Sequence, residues 1–247
     1  MARKIKECAF CGNTGPHPAA HIFPRALQRA DPGHAYRLIN IGRTAPPKRS
    51  QTGIYDSELW CDECEARSSR LDTYAVKVLL DEKNIVSVRG MVDFRGRQLL
   101  YECVGADPVQ LQLFALSVLW RASASKRLEL KGFSLGPYEE RVREVLQSED
   151  QQVLARYPLL IQYETVPQLR AGFFTPARST QRDFVIFRGG GFSFRVKMTN
   201  RPLTPGLTPF AIVPGSAVRL LAYSFVETPI GKSTVRTVKQ TARRFGS

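Results

Sequence analysis

The sequence predicts an α+β protein in three parts: an N-terminal metal-tied module, a set of central helices and a C-terminal antiparallel β-sheet. Three observations carry that expectation. Four of the five cysteines fall into two Cys-x-x-Cys pairs, Cys8/Cys11 and Cys61/Cys64, inside a first segment rich in turn residues. The run Leu111 to Trp120, apolar on nearly every side, follows the helix-opening pair Asp107-Pro108 and predicts a buried central helix to about Ser125. Beyond Tyr157, alternating and β-branched runs are separated by Pro and Gly, the pattern of an antiparallel sheet.

The first element rests on ligand chemistry. Thiolates are soft donors that favour zinc, and a Cys-x-x-Cys turn presents two sulfurs to one ion. Two such turns complete a four-sulfur site, so Cys8, Cys11, Cys61 and Cys64 are the expected ligands of one structural zinc. An iron–sulfur cluster and free structural cysteines are the competing readings, and Cys103 is left over. Leu71, Tyr74, Ala75, Val78 and Leu79 have helical spacing, which puts the second pair at the mouth of a helix. A knuckle, then a hairpin, then a second knuckle opening a helix is the order of a treble clef.

The remaining elements follow in sequence. Ile85–Val88 and Gln98–Cys103 flank the turn-prone Phe94-Arg95-Gly96-Arg97 and predict a hairpin, and Pro137 to Ser148 predicts a charged amphipathic helix. Strands are expected at Leu159–Tyr163, Phe184–Phe187, Phe192–Met198, Phe210–Val213 and Val218–Phe225. In the third of these Phe192, Phe194, Val196 and Met198 share an apolar face, while Ser193, Arg195 and Lys197 are expected on a wet one. Gly189-Gly190-Gly191 lacks phosphate-loop spacing and reads as a strand-to-strand turn. The chain divides into residues 1–82 (zinc module), 83–156 (hairpin and helices), 157–231 (β region) and 232–247 (basic tail).

Composition bounds the function. A chain of 247 residues with 43% hydrophobic residues can bury a proper core. No run approaches the roughly 18 apolar residues of a membrane span, and the charged start Met1-Ala2-Arg3-Lys4 has no apolar stretch behind it, so a cytoplasmic protein with no membrane partner is expected. Thirty-six Lys and Arg against 22 Asp and Glu give a net charge of +14, with no acid after Glu227. Such a field attracts polyanions, nucleic acid first among them, although a basic balance also serves solubility alone.

The order Cys8-x-x-Cys11, then Ala20-His21-Ile22-Phe23-Pro24-Arg25, then Leu59-Trp60-Cys61-x-x-Cys64-Glu65 resembles the zinc-bearing branch of the HNH (ββα-metal) endonucleases. Arg49-Ser50-Gln51-Thr52-Gly53, Ser69, Asp72 and Ser117-Val118-Leu119-Trp120-Arg121 extend the likeness to a group of bacterial HNH-like proteins, over about the first half of the chain. The resemblance implies an HNH-like zinc module in residues 1–82 acting on DNA, and a tie to bacterial defence or mobile elements. It puts His21 at the position of the general base that activates water beside a divalent metal. The pattern also departs from the family: Ala20 replaces the acidic metal ligand, Asp56 stands near the place of the central Asn, and Ser68 and Ser69 stand where a helix His is expected.

Glu65 and Asp72 are two helical turns apart and share a face. With His21 on that side the three would form a catalytic cluster for magnesium or manganese. The alternative is that His21 only hydrogen-bonds within the module while Glu65 complements the helix N-terminus. His17 and His34 read as loop residues. Arg25, Arg29, Lys48, Arg49, Arg67 and Arg70 cluster in the module and are the expected nucleic-acid contacts.

Overall fold

The computed structural model describes residues 5–28, 53–167, 170, 173–179, 183–224, 227 and 232, and the backbone of two strands at 37–39 and 48–50. The module opens with a hairpin, β1 (Ile5–Glu7) and β2 (Thr14–Pro16), whose connection carries Cys8 and Cys11. β3 (Ala20–His21) pairs antiparallel with β6 (Tyr55–Asp56); between them lies a small antiparallel pair, β4 (Arg37–Ile39) and β5 (Lys48–Ser50). Arg29, His34 and all of the basic tail except Lys232 lie outside the described residues, as do the side chains of Lys48 and Arg49.

α1 (Asp62–Leu80) begins at the second knuckle. Asp62, Glu63 and Glu65 in its first turn face the positive end of the helix dipole. The expected hairpin forms as β7 (Ile85–Ser87) against β8 (Leu100–Cys103). α2 (Pro108–Ala124) starts where Asp107 accepts the amides of Val109 and Gln110 and Pro108 sits in the first turn, where its missing N–H costs nothing. α3 (Glu139–Ser148) and a single turn α4 (Gln151–Leu154) follow, and Gln112, buried on α2, donates to the carbonyls of Leu154 at the end of α4 and of Tyr157 just beyond it. Among the described residues no helix is long and apolar enough to cross a membrane.

β9 (Leu159–Glu164), β10 (Phe174–Arg178), β11 (Phe184–Gly189), β12 (Phe192–Lys197) and β13 (Arg219–Tyr223) join β8 and β7 in one seven-stranded sheet of order β10-β11-β12-β9-β13-β8-β7. The protein is therefore α+β as expected, but the sheet is mixed rather than antiparallel: β13 runs parallel to β9, with Leu220 opposite Ile161 and Tyr223 opposite Glu164. The long excursion through β10–β12 and residues 198–218 supplies the crossover that a parallel pair requires. Phe210–Val213 is not a strand. Pro209 and Pro214 bracket it, a 3-10 turn takes Thr208–Phe210, and only Ile212 exchanges both backbone bonds with Leu159.

α2 lies between the sheet and the other helices. Phe114 meets Phe187 and Phe194 on the sheet, Ser117 meets Ser68 of α1, and Ser123 bonds Glu139 of α3. One hydrophobic core runs from Cys8 to Leu220 and includes Phe10, Trp60, Trp120, Phe194 and Val196. The expected wet face of β12 is drier than its sequence implies: Ser193 and Lys197 are buried, the Arg195 guanidinium lies 5.1 Å from the Phe184 ring centre, and Arg188 of β11 forms a buried ion pair with Glu164 of β9. The glycine turn after β11 has a second use. A Cβ on Gly189 would stand 2.7 Å from the Leu27 carbonyl oxygen, and one on Gly190 equally close to the Leu27 side chain, so the absent side chains let the N-terminal module seat on the sheet.

Candidate metal centre and the adjoining His21 pocket

The sulfurs of Cys8, Cys11, Cys61 and Cys64 all lie within 4.8 Å of one another, and none is in a disulfide. The first knuckle is closed by Gly12 N–H to the Cys8 carbonyl (2.9 Å) and Cys8 N–H to the Asn13 carbonyl (2.9 Å), with Gly12 at φ 77°, a left-handed conformation that suits glycine. The second is brought to it by Ala9 N–H to the Leu59 carbonyl (3.1 Å) and by the Cys61 amide donating to Cys8 Sγ (3.3 Å). Cys61 is the N-cap of α1 but makes no side-chain cap bond, because its sulfur faces the other three. The Cys11–Cys61 sulfur separation is 3.8 Å. A tetrahedron with metal–sulfur bonds of about 2.3 Å has edges of about 3.8 Å. This four-cysteine group can hold a metal ion.

Electrostatics point the same way. Burial works against a thiolate at Cys8, but amides of Cys11, Cys61 and Phe10 outweigh it and bring that thiol below its ordinary pKa; burial pushes Cys11 and Cys64 up. Four anionic sulfurs this close repel one another, and a cation is what makes their joint ionisation favourable. The site is also fixed from outside. Phe10, between the first two cysteines, meets Trp60 and Trp120 edge-on at 6.1 and 5.0 Å, those two indoles stack at 5.8 Å, and Arg143 and Gln147 of α3 both donate to the Phe10 carbonyl.

Cys103 stands apart, buried against the Val78 carbonyl, and burial alone pushes its thiol up to about 11. At pH 8 roughly one such group in a thousand is thiolate. Cys103 should therefore resist thiol reagents in the folded protein and react only on unfolding; peptide mapping that finds Cys103 labelled in the folded chain would contradict this burial.

His21 sits beside the knuckles. It pairs across the β3–β6 ladder with Tyr55, as Ala20 does with Asp56, and Ile22 continues the ladder to the Ile54 carbonyl. Asp56 is buried and committed, accepting from the Glu58 amide and from Ser125. A pocket of ≈ 370 Å³ is lined by His21, Glu65, Ser69 and Asp72, with Arg25 and Lys77 among its walls. The structure thus brings the three expected catalytic residues to one pocket, though not to one ion. Among the described residues, the four cysteines are the only set of three or more ligand residues whose atoms all converge within 4.8 Å.

Both Asp72 oxygens are taken by Arg121, at 2.6 and 2.8 Å. Arg121 also donates to the His21 carbonyl (2.8 Å) and to the Ser117 carbonyl (3.3 Å), and lies 5.6 Å from the Trp60 ring centre. Glu65 accepts from Trp60 Nε1 at 2.7 Å and from Ser69. Burial raises its pKa, partly offset by the Trp60 bond and the Arg121 charge. Ser68 is turned away to Ser117.

The role of Arg121 was not foreseen from the sequence. The signal was there: it is the only charged residue in the stretch from Leu111 to Ser125, and an arginine in so apolar a helix requires a buried acid.

Of the expected nucleic-acid contacts, Arg25 is exposed at the pocket and Arg70 is exposed on α1, neither paired with an acid among the described residues. Arg67 is instead committed to Glu149 and the Gln147 carbonyl. A scan of family models finds no match to this chain, and searches of the curated proteins and of the solved structures find none either.

Proposed function

We propose that the four cysteines bind one structural zinc ion, and that the module they tie together is an HNH-like nucleic-acid-binding element that holds a DNA phosphate at the His21 pocket. The observation that supports this most is the chain order combined with the sulfur geometry: a knuckle, a strand carrying His21, and a second knuckle capping the helix that lines the same pocket. Zinc, when bound, adds folding energy by tying the two knuckles together. Around the pocket, Arg25 and Lys77 have no acid partner among the described residues, which leaves both charges for phosphate oxygens.

Binding is the first reading because Asp72 is neutralised by Arg121 and Glu65 is held by Trp60, so neither is a ready ligand for magnesium or manganese. Cleavage is the second, favoured by His21 and Glu65 sharing the pocket; there His21 would take the proton of an attacking water.

Anisotropy titration of a labelled duplex should show affinity falling steeply as salt is raised from about 50 to 200 mM. In Arg25→Gln and in Lys77→Gln the log–log slope should shrink by about 0.9 for each phosphate the variant no longer neutralises. Absence of binding at the lowest salt would end the nucleic-acid reading. Supercoiled plasmid with magnesium or manganese separates the two versions: cutting by the parent that disappears in His21→Ala assigns catalysis, whereas binding without cutting assigns the binding module.

A further inference from the structure

Ten large hydrophobic side chains are exposed among the described residues, and five of them, Val86, Met91, Val92, Phe94 and Leu99, belong to the β7–β8 hairpin. That concentration lies at the edge of the sheet, where β7 has a neighbour on one side only among the described residues. Phe94 is the extreme case at 90% exposed. It is not on a loose loop. The Asp93 carboxylate accepts the amides of Arg95 (2.8 Å) and Arg97 (2.9 Å) on one oxygen and Arg97 Nε (2.7 Å) on the other, while the Asp93 and Arg97 backbones bond at 2.9 Å.

Gly96, at φ 72°, completes the turn, and Arg97 is tied further to Glu227. These bonds, the Arg97 amide first among them, hold the Asp93 carboxyl below its usual range. The turn therefore presents a phenyl ring to water from a fixed point on the backbone, although nothing in the core uses that ring.

The ring has one face occupied and one open. The Arg95 guanidinium lies 5.2 Å from its centre. Arg89 and Arg95 are exposed and pair with no acid among the described residues, so the hairpin tip is both aromatic and cationic. A second copy of a chain carrying +14 is a poor fit to that tip. A nucleobase flanked by phosphates fits both properties: the base stacks on the free face and the phosphates meet the arginines.

We propose that the Asp93–Arg97 turn is a stacking platform for an unpaired base of bound nucleic acid, with Phe94 as the platform and Arg89 and Arg95 as its phosphate contacts. The inference rests on the nucleic-acid reading above but uses a different surface from the His21 pocket. Pre-organisation by Asp93 means the backbone of the turn need not be ordered on binding, which removes part of the usual cost.

The test is titration of a single-stranded oligonucleotide carrying 2-aminopurine into the full chain, followed by anisotropy and by the quenching of that base. Phe94→Ala should weaken binding about tenfold and abolish the quench, with a salt slope parallel to the parent's because every phosphate keeps its arginine. Phe94→Trp should keep both signals. Since Phe94 is exposed, both variants should melt with the parent.

Unchanged affinity and quench in Phe94→Ala would overturn the proposal, as would a parent dimer in sedimentation that Phe94→Ala converts to monomer without affecting binding. Loss of binding in the Arg25→Gln, Lys77→Gln double variant with none in Phe94→Ala would leave the His21-pocket reading standing and remove this one. A parent that binds no nucleic acid removes both.

Discussion

Cys64→Ser should release the metal and lower the melting temperature by about 6–12 °C. The substitution deletes one of four sulfurs that converge within 4.8 Å. Structural zinc sites in isolated peptides are worth on the order of 10–16 kcal/mol, because ligand assembly and folding are one event there. Here part of that assembly is independent of metal: Phe10, Trp60 and Trp120 pack together, and α3 grips the Phe10 carbonyl. We therefore expect a loss of about 3 kcal/mol in the variant, which at ~2–4 °C per kcal/mol for a chain of this size gives the stated shift. Elemental analysis should find one metal per chain in the parent and almost none in the variant. Cys103→Ser should leave the metal content unchanged. A Cys64→Ser protein that loses metal yet melts with the parent would mean that the metal adds nothing to the stability of the fold.

The second large effect is expected at Arg121. Its side chain is 1% exposed and its Asp72 partner 15%. Removing one member of a buried pair strands the other charge, which costs about 3–5 kcal/mol. Asp72 has a little access to water, so Arg121→Met should fall near the low end, about 3 kcal/mol or ~6–12 °C of melting temperature. Arg121→Lys should recover little, since an ammonium cannot grip both Asp72 oxygens and the His21 carbonyl in one plane.

The double variant Arg121→Met with Asp72→Leu should be more stable than Arg121→Met alone, because no buried charge remains unpaired. If the two destabilisations simply add, Arg121 and Asp72 are not coupled and the pair does not hold the pocket together. Arg121→Met should also loosen the His21 pocket, and under the proposed nucleic-acid reading it should lower affinity for DNA where Arg25 and Lys77 are untouched.

What could be read from the sequence was what is written locally. Asp107-Pro108 caps a helix through bonds made within three residues, and the β7–β8 hairpin is set by a turn in which Asp93 bonds to its own neighbours. The four cysteines were legible because metal spacing constrains both pairs. The strand β10 was not, since Pro176 in its middle argues against a strand; the structure tolerates it because β10 is the outermost strand and its register is broken between Phe174 and Ala177. α4 is one turn long, too short for any periodicity. The pocket was half legible: spacing put Glu65 and Asp72 on one helix face, but nothing near Asp72 in sequence names Arg121, which is 49 positions away. The parallel pairing of β13 with β9 is invisible for the same reason.

That parallel pairing bears on how the protein is made. β13 sits between β9 and β8, so among the described residues the strand pairing of the hairpin from residues 85–103 reaches the rest of the sheet only through a strand that ends at Tyr223. During synthesis at about 5–20 residues per second, the hairpin would wait roughly 5–25 s for its partner, its apolar edge uncovered. β13, the last strand among the described residues, closes the middle of the sheet, and a chain cut short before Arg219 would leave two unjoined pieces of sheet and expose Leu100 and Ile161 to aggregation.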